Sequence, residues 1–257
     1  MDAVTTEQLR LLPRAIILAV LGILLTSCAG NGALRSPEVL VAPYESGSGE
    51  LVWAVAPLRN ESGVSRLDSL AVADQLVAAI EQTRGLRALP VNRVIETMRA
   101  LDMRGVSDEG DARKLARALG ADAILVGSIT AWDPYDPPVI GLSVALYAEP
   151  GALSGRVDEL DPRQLSRLST EYHDAAHSRF GGRPVNIASD HLDARDHGVL
   201  MELRDYARGR SDPESALDWK IYTASMELFT QFAAHHTVRT LLDNEWVRLS
   251  RVAHADD

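Results

Sequence analysis

Cysteine is all but missing from this chain: Cys28 is the only one in 257 residues. A single thiol excludes an intramolecular disulfide framework and a cysteine-based zinc cage. Lysine is almost as scarce, with Lys114 and Lys220 the only two among 26 basic residues. Those 26 are outnumbered by 36 acidic residues, leaving a formal charge of −10. So acidic a chain repels phosphate backbones, and nucleic acid is not an expected partner. No apolar run reaches the roughly 20 residues of a comfortable bilayer span. Nor does the chain contain a GxGxxG loop, a Walker A loop, a GxSxG elbow or an HExxH pair. Nucleotide chemistry, the usual serine-hydrolase arrangement and zincin chemistry therefore have no local support, and no cofactor is expected. What remains is an ordinary globular balance, 46% hydrophobic and 24% charged, with a mean hydropathy of −0.06.

The first feature with a positive meaning lies at the amino terminus. Arg10 and Arg14 precede an apolar run from Ala15 to Leu25, which is followed by Thr26-Ser27-Cys28. The run has the length of a signal-peptide core. Leu25-Thr26-Ser27-Cys28 resembles the bacterial lipobox, which implies cleavage before Cys28 and acylation of its thiol and new amino group. Multiple acyl chains anchor stably, since each buried CH₂ contributes about 0.8 kcal/mol. The competing reading is a core helix with an inert cysteine, favoured slightly by Asp2 and Glu7 in the basic leader. Ala29 follows the cysteine, where aspartate would resemble an inner-membrane retention signal. The expected location is therefore the outer membrane, facing the periplasm.

Residues 1–27 read as this signal peptide, and 28–50 as the lipidated cysteine plus a Gly/Ser/Pro/Asn-rich tether. Order is expected from Leu51, where a short apolar run ends at Pro57. Asn60 to Gly63 reads as a loop, followed by a helix through Leu67, Leu76 and Ile80. Leu86–Leu89 reads as a second strand, and Asn92 as the cap of the next helix. Ser107 or Asp108 opens a third helix that Gly120 closes. Ala123–Ile129 and Val139–Tyr147 complete the pattern. The expected fold is α/β (α+β layered): a small sheet of about four strands with packed helices over 51–150, plus a polar loop region and carboxy-terminal amphipathic helices over 151–257.

The strand ending Ala56-Pro57-Leu58-Arg59-Asn60, and the step Leu119-Gly120-Ala121-Asp122-Ala123-Ile124-Leu125-Val126-Gly127-Ser128-Ile129, resemble the CsgG-like family. That periplasmic domain is shared by the curli-secretion lipoprotein CsgG, the penicillin-binding-protein activator LpoB and the amino-terminal domain of TolB. The resemblance covers about residues 51–147 and implies a non-enzymatic envelope scaffold, channel subunit or activator. Its motifs are structural: Gly120 ends a helix, Asp122 lies in the turn, and Gly127 leaves one strand face free for close packing. Residues 148–215 depart from it, lacking the long alternating strands of a secretion barrel.

Leu192, Val199, Leu200, Leu203 and Tyr206 suit one amphipathic helix. Trp219, Tyr222, Met226, Phe229 and Ala233 suit a longer one continuing toward Trp246. His235-His236 lies inside it, where one of the pair must face outward, and a helix-surface role is expected. His173 and His177, spaced i, i+4, could grip a metal, with His191, Asp193, Asp196 and His197 as further ligands. Solvated surface is the plainer reading of those residues, so no metal site is expected. Ser189-Asp190-His191 holds the residue types of a hydrolase triad but not its geometry. Trp132 and Tyr135, at the Pro134–Pro138 turn, are the candidate partner-binding residues.

Taken together, these features lead us to expect an outer-membrane lipoprotein anchored through Cys28. It would act without catalysis, as scaffold, assembly factor or activator, on an envelope protein partner or by self-association. The alternatives are an enzyme or metal-binding protein using residues 171–197, and an oligomeric secretion-channel subunit.

Overall fold

The computed structural model describes residues 36–44, 49–148, 151–154 and 184–255, with side chains through 251. The chain divides into Met1–Ser36 and Pro37–Asp257, and every described strand and helix belongs to the second part. Cys28, His173 and His177 lie outside the described residues.

Among the described residues six strands form one mixed sheet: β1 (Leu51–Val55), β2 (Arg59–Asn60), β3 (Leu86–Leu89), β4 (Ala123–Asp133), β5 (Val139–Ala148) and β6 (Asn186–Asp193). Their order is β3-β1-β4-β5-β6, with β2 beside β4. The β1 pairings with β3 and β4 are parallel, while β4–β5 and β5–β6 are antiparallel. The fold is mixed α and β as expected, but six strands replace the expected four or so. One addition, β2, continues β1 past Pro57 and pairs Arg59 and Asn60 with Ser128 and Ile129. The other, β6, alternates Ala188, Asp190 and Leu192 on one side with Ser189 and His191 on the other. A carboxylate at an inward position breaks the apolar alternation that would have announced this strand. Leu192 accordingly belongs to a strand, not to the helix that comes after it.

Helices cover both faces of the sheet, which is why β4 is buried at seven consecutive positions from Ala123 to Ile129. On one face pack α2 (Val91–Ala100) and α3 (Glu109–Leu119), whose Val94, Met98 and Leu115 meet Ile124, Val126 and Tyr147. On the other pack α1 (Ser69–Glu81), α4 (His197–Ala207) and the long α6 (Met226–Ala255). There Leu76, Ile80, Phe229, Phe232 and Leu241 close over Trp53, Leu125 and Leu146. Both β6 and α6 thus join the sheet and core begun before residue 150. Among the described residues no helix is long and apolar enough to cross a membrane.

Local chemistry explains most helix ends. Asp108 Oδ1 accepts from Asp111 N at 2.8 Å, capping α3, and Gly120 ends it at φ 67°, a left-handed conformation that glycine adopts without Cβ strain. Asn92 is not a cap: α2 begins at Val91 behind Pro90, with no side-chain capping bond. Proline's fixed φ and extended ψ launch that helix instead. The helix expected to run continuously from Trp219 is broken into a 3-10 turn (Asp218–Lys220), α5 (Ile221–Ala224) and α6, because Ser225 is extended at φ −129°, ψ 116°. Its carbonyl accepts from Phe229 N at 2.9 Å and starts α6.

The Leu119–Ile129 step gains a specific reason. Asp122 N donates to Val52 O at 2.8 Å, and Val52 N donates back to Asp122 Oδ2 at 2.7 Å. That reciprocal pair sets β4 in parallel register with β1. Gly127 lies where a Cβ would come within 2.3 Å of Ser143 O, so the close packing inferred for it is a backbone-to-backbone approach.

Candidate functional site

The turn between β4 and β5 separates the two aromatic candidates. Trp132 pairs in register with Ile140 and packs, half-buried, against the main core. Tyr135, three residues on, is 80% exposed. Its N–H donates to Asp133 Oδ1 at 3.2 Å, an Asx turn that holds the tip. Pro138 O accepts from Ala194 N at 3.0 Å, fastening the returning strand to the end of β6. Trp132 therefore braces the hairpin and Tyr135 is presented by it.

The described members of the candidate metal group are committed elsewhere. His191 and His197 are both exposed. Asp193 Oδ1 accepts from Arg195 N at 2.8 Å. Asp196 Oδ1 accepts from Gly198 N at 2.6 Å and Val199 N at 3.3 Å, capping α4. Among the described residues no three His, Cys, Asp or Glu side chains gather around a common point. Strand alternation splits Ser189-Asp190-His191 as well: Asp190 turns to the helices while Ser189 and His191 are exposed on the opposite side.

What the sequence did not announce is a buried polar network on α6. His236 sits between two carboxylates, Nδ1 at 2.7 Å from Glu202 Oε2 and Nε2 at 3.5 Å from Asp190 Oδ1. Arg239 Nη2 lies 2.9 Å from the same Glu202 oxygen. Burial opposes the imidazolium, but Asp190 and Glu202 outweigh it and lift the His236 pKa to about 9. The close contact with His236, reinforced by its charge and that of Arg239, holds the Glu202 pKa below its usual value against burial. His235, one residue earlier, is driven the other way, to about 3, by burial and by the charges of Arg210, Arg239 and His236. The expectation that one of the pair faces outward is thus corrected, since both histidines turn inward. Helix α6 is flanked by the sheet, α1 and α4, so it has little free surface to give them.

A second network centres on Glu245, whose residue is fully buried. Arg248 Nε reaches Glu245 Oε1 at 3.0 Å and Arg248 Nη2 reaches Oε2 at 2.7 Å, a two-pronged grip. Tyr44 OH donates to Oε2 at 3.1 Å, and Arg248 Nη2 also donates to Leu153 O at 2.8 Å. These bonds tie the segment before β1 and the segment after β5 to α6. Both networks link separate elements, α6 to α4 and β6 in one and α6 to the segments before β1 and after β5 in the other, and act as internal cross-braces.

No family model matches the chain, and no curated protein matches its sequence. Among solved structures, the chain is similar to the LpoB C-terminal domain from Salmonella enterica at 12% identity, covering 58% of this chain and 87% of that one, with a TM-score of 0.37. It is similar to lipoprotein GNA1162 from Neisseria meningitidis at 17% identity, covering 59% and 89%, also at 0.37. It is similar to Escherichia coli LpoB at 15% identity, covering 44% and 52%, at 0.34. Overlaps of this size establish neither a family nor an activity.

Proposed function

We propose that this chain is an outer-membrane lipoprotein that works by protein–protein contact, as an activator, scaffold or assembly factor, without catalysis. The observation that carries the reading is Tyr135, a large aromatic left 80% exposed at the tip of a braced hairpin. Tyrosine supplies wide amphipathic contact area at low entropic cost, and an aromatic on a stiff loop is a frequent binding anchor. The lipobox at Leu25–Cys28 supports an anchored chain; the expected tether over 28–50 is corrected at residues 40–44, where Leu40 and Tyr44 are buried in the core and Ala42 N donates to Arg84 O. Tethering raises effective concentration at one surface, which benefits partner binding more than turnover of a diffusing substrate.

The test is a photo-crosslinking amino acid at position 135 of the full chain, expressed in a bacterial envelope. A discrete crosslink to an envelope protein, absent when the same group replaces exposed Arg195, supports the reading. Crosslinks that are equal at both positions, or absent at 135, overturn it.

A further inference from the structure

Helices α1, α4 and α6 enclose a cleft of about 190 Å³, lined by Gln75, Gln82, Tyr206, Gln231 and His235 over an alanine floor. That is below the roughly 300 Å³ at which drug-sized sites begin, and suits a single small group. The residue His235 is only 5% exposed. Among the described residues its ring touches Tyr206 at 4.8 Å between centroids, but no hydrogen bond engages either ring nitrogen. The side-chain amides of Gln75, Gln82 and Gln231 and the hydroxyl of Tyr206 are equally without a described hydrogen-bond partner. The imidazole lines the cleft and its nitrogens are not sealed from solvent, so its hydrogen bonds are left to whatever occupies the cleft.

The neighbouring charges are spent beside the cleft. Arg210 lies over the Tyr206 ring at 4.3 Å and donates to Tyr206 O at 2.8 Å and Glu38 O at 3.0 Å. Arg239 is paired with Glu202. Among the described residues no charged side chain lines the cleft itself. Primary amides each offer donors and an acceptor, and a neutral imidazole offers one of each. We propose that this cleft binds an uncharged, amide-bearing group, such as the acetamido group of an amino sugar or a capped peptide amide. An amide is the small group whose carbonyl and N–H satisfy both halves of that lining. Burial and the flanking cations keep the His235 ring neutral at ordinary pH, so it retains both a donor and an acceptor.

Saturation-transfer NMR on the full chain tests this with N-acetylglucosamine, N-acetylglycinamide, glucose and acetate as probes. Transfer to the acetyl methyl of either amide is expected, about tenfold weaker in affinity for Gln231→Leu and for exposed Gln82→Leu. A signal from the sugar alone assigns the group to a glycan, and one from the capped amide alone to a peptide; both uphold the site. No transfer to either amide, transfer unchanged in both variants, or tighter binding of acetate or glucose would overturn it. Tyr135→Ala leaves this binding intact, so its failure and failure of the protein-contact reading are separable.

Discussion

His236 Nδ1 stands 2.7 Å from Glu202 Oε2, and this contact joins α6 to α4 inside the protein. With Asp190 on the opposite nitrogen, it also joins α6 to the edge strand β6. The His236 pKa is raised from 6.5 to about 9. A base whose folded pKa is raised adds stability that is complete below its unfolded value and lost as pH rises through the folded one. Urea unfolding should therefore show stability falling between pH 6.5 and 9, by at most about 3 kcal/mol from this group. In His236→Gln that fall should flatten; an unchanged slope would dissociate the imidazolium from the network.

His235 produces the mirror image. Its folded pKa is depressed from 6.5 to about 3, so the unfolded chain takes up the proton first and stability drops as pH falls below 6.5. His235→Gln should reduce that loss between pH 6.5 and 5, above the range where ordinary carboxylates titrate. Neighbouring histidines should then control opposite limbs of one stability profile.

Glu245 offers a sharper contrast with surface pairs. Replacing Arg248 by Met leaves a buried carboxylate with, among the described residues, the Tyr44 hydroxyl for support. Loss of one partner from a buried pair costs about 3–5 kcal/mol. By comparison, Arg208→Ala, which breaks the exposed pair with Asp205, should cost under about 1 kcal/mol. Chemical denaturation of the two variants checks the ratio.

Gly127→Val should be among the most damaging single changes. Its Cβ would meet Ser143 O at 2.3 Å and Val144 Cα at 2.9 Å, and these are strand backbone atoms. Overpacking of this kind costs about 1–3 kcal/mol or more, read as a lowered Tm. Asp122→Ala, which removes the acceptor for Val52 N, should cost about 1–3 kcal/mol through the unpaired donor.

Anchoring is tested at Cys28. Cys28→Ala should abolish acyl labelling and release the chain from membranes, while a membrane-bound variant that keeps its leader would remove the lipoprotein reading.

Local signals are legible in the sequence because their causes span a few residues. Asp108 and Gly120 bound α3 through caps made within one turn, and the Ala123–Ile129 run is a strand because its apolar residues continue until turn chemistry stops them. Asp122 reads as a turn residue, but its partner Val52 lies 70 residues away, and spacing alone does not name it. Tertiary packing decided the rest. Helix α6 is covered by α1, α4 and the sheet, so His235 and His236 both turn inward, although a helix packed on one side would have exposed one of them. Strand β6 is not legible in its own residues because its inward Asp190 is balanced by His236, a compensation supplied from another element. Trp132 and Tyr135 read alike as aromatics of one turn, yet the core takes the first and leaves the second to solvent. Periodicity and capping are properties of neighbouring residues, whereas burial belongs to whatever the fold brings alongside.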